Sequence, residues 1–178
     1  MAITRLGGAN AISGTLPAAN INDTSIGNIT ALPAGVGGKV LQVVTDVHST
    51  QITTASPGGA QVDSGLSASI TPSSTSNKIL VLLSIQIQEN KDSSVTLYWR
   101  TIIKANGSSI HNGQNAECVN NTTGEFGLRT SIQLLHSPNS TSQQTYTVEV
   151  KNDDGLASNM VINRSNSPAY LTLMEVAG

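Results

Sequence analysis

Asp46 and His48 stand two residues apart in a run that reads as a β-strand, so both side chains can share one face. Such a pair holds a metal only with a third and fourth ligand, and none stands nearby in sequence. Asp153 and Asp154 sit in Lys151-Asn152-Asp153-Asp154-Gly155. Those letters suit a calcium loop, but the EF-hand spacing is absent and a turn between strands is the better reading. His111 precedes a turn and His136 ends a strand close to Pro138, so both read as surface or edge residues. Glu89, Asp92, Glu117 and Glu125 are scattered, and no two of them pair for acid–base work. Cys118 has no cation beside it to lower its pKa and reads as a lone reduced thiol. No Gly-x-Ser-x-Gly elbow, Walker loop or His-Glu-x-x-His is present. Gly35-Val36-Gly37-Gly38 leads into a strand rather than a helix, so it does not make a phosphate cradle. The expectation is a protein that is not an enzyme, with no catalytic residues, no metal and no cofactor.

A recognition role needs different residues. Tyr98 and Trp99 are two of only five aromatics, and stacking rings are a usual platform for sugars. Neighbours on a strand face opposite ways, so at most one of them is exposed. Trp99 reads as a core anchor. Tyr98 then shares the outer face with Arg100 and is the candidate for surface recognition of a glycan.

The elements that would position these residues are strands. From residue 39 the apolar pattern has period two. Lys39 to His48 begins it, Ser67 to Thr71 is short, and Lys78 to Gln88 is the strongest, with Ile79, Val81, Leu83, Ile85 and Ile87 on one face. Leu80 and Leu82 make its first half apolar on the other face too. A strand of that kind must be covered on both sides, by a second sheet and by a subunit or loop. Val95 to Lys104 leads into Asn106-Gly107, a strong hairpin turn. Gly127 to His136, Tyr146 to Val150, Met160 to Asn163 and Ala169 to Val176 complete the series. Eight to ten strands at this spacing predict an all-β fold, an antiparallel jelly-roll-like β-sandwich over residues 39–178.

Residues 1–38 differ. They hold two charges and no aromatic, and glycines and prolines interrupt every apolar pattern. They read as an extended N-terminal arm for attachment and oligomerisation, with Ile12, Leu16, Ile21, Ile26, Ile29 and Leu32 gaining burial only against another chain. The start has no apolar core of the kind a secretory signal peptide needs.

Composition narrows the partners. Charged residues are 11% of 178, against about 25% in an average soluble protein, and the net charge is −2. Ser, Thr and Asn supply about a third of the chain. With no basic run there is no footprint for nucleic acid, and no apolar stretch is long enough for membrane insertion as a helix. A surface so poor in charge suits a subunit locked into an assembly or one facing sugars.

Three stretches together carry a resemblance. The first is Met1-Ala2-Ile3-Thr4-Arg5-Leu6-Gly7 leading into Ile12-Ser13-Gly14-Thr15-Leu16-Pro17-Ala18-Ala19-Asn20-Ile21. The second is Ile70-Thr71-Pro72-Ser73-Ser74-Thr75-Ser76-Asn77-Lys78-Ile79-Leu80-Val81, and the third is Ala169-Tyr170-Leu171-Thr172-Leu173-Met174-Glu175-Val176-Ala177-Gly178. The chain resembles small tail-fibre-like virion structural proteins of tailed bacteriophages of the aquatic type. The resemblance implies a homotrimer whose arms attach to other virion proteins (tail, baseplate or capsid) while the β-domain projects outward, in a virion assembled in the host cytoplasm. The expected function is a trimeric tail fibre or fibre-like appendage, with host attachment through a surface glycan left open. The chain is short for a reaching fibre, which keeps a capsid decoration (cement) protein as the alternative and a carbohydrate-binding module as a further one.

Overall fold

The computed structural model describes residues 39–56, 61–91, 97–113, 118–120, 124–152 and 158–178. The proposed arm, Cys118's side chain and the Asp153–Asp154 turn lie outside the described residues. Eleven strands are formed: β1 (Val40–His48), β2 (Ile52–Ser56), β3 (Gln61–Ile70), β4 (Lys78–Lys91), β5 (Leu97–Ala105), β6 (Ser108–Asn112), β7 (Cys118–Asn120), β8 (Gly124–His136), β9 (Gln144–Asn152), β10 (Ser158–Ile162) and β11 (Ala169–Val176). All pairings are antiparallel.

The strands form two sheets. In sheet A the order is β1-β11-β4-β8, while β10 and then β2 pair alongside the far half of β4. Sheet B runs β3-β9-β5-β6, with β7 on the far half of β5. With β2, β7 and β10 set aside, the remaining eight strands in chain order lie as 1-8-3-6 and 2-7-4-5. That order is a jelly roll, two interleaved Greek keys closing a sandwich.

Alternation places the core between the sheets. Ile79, Val81, Leu83, Ile85 and Ile87 of β4 are buried, opposite Trp99 and Ile103 of β5 and Tyr146, Val148 and Val150 of β9. Trp99 reaches across to Phe126 of β8 with ring centroids 6.3 Å apart. Asn106 and Gly107 both take positive φ, 48° and 80°, and turn the chain from β5 into β6.

Several strands are longer than their sequence patterns. β4 extends to Lys91 and β8 begins at Gly124. β3 spans ten residues rather than the short run from Ser67, because an irregularity splits its pattern. Between Asp63 and Ser67 four steps of β3 face two steps of β9. Gly65 sits in this bulge at φ 77°, and a Cβ there would lie 2.6 Å from the His48 ring. The Asp63 side chain caps the bulge by accepting from the Gly65 N–H at 2.9 Å.

Candidate interaction surface

Of the residues singled out for chemistry, Asp46 and His48 help to hold the fold. Asp46 accepts from the Ser67 N–H at 2.8 Å, joining β1 to β3 at the closed side of the sandwich. His48 lies against Gly65. Among the described residues no three His, Cys, Asp or Glu side chains gather as a possible metal site. His136, expected as a plain edge residue, bonds through Nδ1 to the Tyr146 hydroxyl at 2.8 Å, linking β8 to β9. Burial lowers the His136 pKa and pushes the Tyr146 hydroxyl up to about 12. Glu125 pairs with Arg164 on the surface, and that contact lowers its pKa.

The recognition candidates divide. Tyr98 lies in β5 opposite Val119, with its side chain outside the described residues. Arg100 donates to Asn112 Oδ1 at 3.2 Å on the outer face of sheet B. Ile12, Leu16, Ile21, Ile26, Ile29 and Leu32 lie outside the described residues as well.

The two quoted stretches around Ser73–Asn77 and Glu175–Gly178 come together as a clasp. Glu175 is buried. Its Oε1 accepts from the Ser73 N–H at 2.6 Å, the Ser73 hydroxyl at 2.8 Å and Asn77 Nδ2 at 2.6 Å. Its Oε2 accepts from Gln42 Nε2 at 2.6 Å. Burial alone would raise this carboxyl, but the donors of Asn77, Gln42 and Ser73 outweigh it and hold the pKa below the usual 4.5. The resemblance motif is therefore, in this fold, a structural lock joining β1, β11 and the β3–β4 connection.

The outer faces of the two sheets are unlike. On sheet B, most outward positions are polar: Ser67 and Ser69 of β3, Thr145, Thr147 and Glu149 of β9, and Lys104 of β5, which pairs with Glu149 at 2.7 Å. Ile102 of β5, opposite Glu149 and buried, is an apolar exception. On sheet A, the pairing aligns apolar side chains across four strands. Val43, Met174, Leu80 and Leu135 form one continuous row. The next row is Thr45, Thr172, Leu82 and Gln133, and the third is Val47, Tyr170, Ser84 and Ser131. Val43 is 53% exposed, Leu135 53%, Val47 52% and Tyr170 42%. Val40 and Leu41 at the start of β1 are exposed too.

Three polar members of these rows, Thr45, Thr172 and Ser84, bond within the chain. Thr45 and Thr172 bond to each other at 3.1 Å. Ser84 accepts from Arg129, which also donates to the Pro168 carbonyl and the Ser167 hydroxyl. The reading of β4 as apolar on both faces is visible here: Leu80 and Leu82 lie at the centre of this surface, half-buried by their neighbours. Sequence reasoning missed Val43, Val47, Leu135, Met174 and Tyr170 as parts of it. The signal was present in Val40-Leu41-Gln42-Val43-Val44, which like β4 puts apolar residues on both faces.

No protein-family model matches the chain, and no curated protein matches it. Among solved structures, the chain is similar to the VP2 subviral particle of infectious bursal disease virus, with TM-score 0.42 and 16% identity over 77% of this chain and 37% of that one. The infectious bursal disease virus Gx strain structure gives TM-score 0.39 and 15% identity, over 77% and 37%. Dimeric latent PorU from Porphyromonas gingivalis gives TM-score 0.42 and 9% identity, over 80% and 14%. The chain thus spans little more than a third of the viral chains it matches.

Proposed function

We propose that this chain is a structural subunit of a virion, a fibre-like appendage of a tailed bacteriophage held to the particle by residues 1–38. The observation that supports the reading is the apolar outer face of sheet A. A free monomer has no use for a four-strand apolar row flanked by further exposed apolar side chains in water, whereas an assembly subunit covers it. The opposite outer face, rich in Ser and Thr and with Lys104 paired to Glu149, suits exposure on a particle. The trimeric arrangement and the placing of residues 1–38 against tail, baseplate or capsid proteins are part of the same proposal and come from the resemblance.

Microscopy of particles labelled with an antibody to this chain tests the reading. Signal on the tail or its base is the expected result. Signal over the head surface would replace the appendage with a capsid decoration protein. Purified particles that lack the chain altogether would overturn the virion role.

A further inference from the structure

We infer that copies of this chain meet one another through the outer face of sheet A, around the row Val43, Met174, Leu80 and Leu135. This rests on the reading of the chain as a structural subunit and names the partner of its apolar face. The first argument is area. Val40, Leu41, Val43, Val47, Leu135 and Tyr170 leave on the order of 500 Å² of side chain in water, a size at which an exposed patch marks an interaction site. With the half-buried Leu80, Leu82 and Met174 the face approaches the roughly 800 Å² that each partner gives to a standard interface.

The second argument is charge. The three central rows contain no charged residue, so two such faces do not repel. Lys78 and Arg129 lie outside those rows, and Arg129 is already engaged by Ser84, Ser167 and Pro168. Interfaces between identical copies are also the more apolar class. The third argument is polar satisfaction. Thr45 and Thr172 bond to each other, so drying this row costs neither hydroxyl its partner. Alternation explains why one face serves both ends: the odd residues of β4 build the core, and Leu80 and Leu82 are left for a second copy.

Light scattering on the full chain tests this, with Val43→Asp combined with Leu135→Asp as the disrupting variant. Both residues are more than half exposed, so the fold should survive, and circular dichroism with thermal unfolding checks it. The expected result is a wild type at a multiple of the chain mass and a folded variant at the mass of one chain. Ser109→Asp with Asn112→Asp, which adds the same charges to sheet B, should leave the multiple intact. If the aspartates prevent folding, Val43→Ser with Leu135→Ser should still shift the mass toward one chain. A wild type at one-chain mass at high concentration would overturn the inference, as would a folded variant that keeps the wild-type mass. Co-sedimentation with particles separates this from the virion role: a monomeric wild type that still binds particles would sink only the copy-to-copy contact. A wild type that multimerises as predicted but binds no particle would sink only the virion role.

Discussion

At the scale of single residues, the most telling side chain is Glu175. A buried carboxylate without a cation is costly unless neutral donors replace its water. Ser73, Asn77 and Gln42 do so at 2.6–2.8 Å. Glu175→Gln keeps the shape but removes the charge that strengthens these bonds, so it should lower unfolding free energy by about 1–3 kcal/mol in urea titration. The sign of the pH effect follows from the lowered pKa. The unfolded carboxyl binds its proton first, so the stabilisation is full above 4.5 and is lost as pH falls through the lower folded value. His136 acts in the same direction in a higher window. Its folded pKa is lowered by burial, so protonation favours the unfolded chain as pH falls below 6.5. Unfolding midpoints measured from pH 7 downward should therefore decline in two stages, and Glu175→Gln should flatten only the lower one. Nothing in the sequence announced this clasp, because Ser73–Asn77 and Glu175 are joined by sheet pairing and not by spacing.

At the scale of elements, β4 is the strand on which both faces of sheet A depend. Its inner row was legible from period two alone, and Leu83 is buried as that pattern requires. Leu83→Ala should cost about 2–5 kcal/mol as a large-to-small change in a closed core. A loss below about 0.5 kcal/mol, the scale of a surface substitution, would show that the strand is misread. β2, β6 and β7 were not read as strands because three to five residues carry too few alternations to stand out. β3 was read short because its bulge gives two residues without partners and its inner positions include Ser64 and Ala68, which carry little apolar signal. Gly65 is the residue that makes this bulge possible. Gly65→Ala would meet both a positive φ and the His48 ring, and thermal unfolding should show a loss of roughly 1–2 kcal/mol.

At the scale of the molecule, the sandwich is two-sided: a mostly polar outer face on sheet B and one crossed by an exposed apolar row on sheet A. Composition carried half of this, since a chain with 11% charged residues cannot coat itself as a free monomer usually does. The other half needed the register. Val43, Met174, Leu80 and Leu135 lie far apart in sequence, and only the pairings of β1, β11, β4 and β8 place them in one row. Composition changes at residue 38, from a nearly uncharged segment to the period-two pattern. A subunit-resolution image of the assembled particle tests the central claim most directly. It should show the outer face of sheet A covered by protein, with Val43 and Leu135 out of water, and the Ser/Thr-rich face of sheet B turned to solvent. An image with sheet A's outer face bare and sheet B's buried would contradict the account.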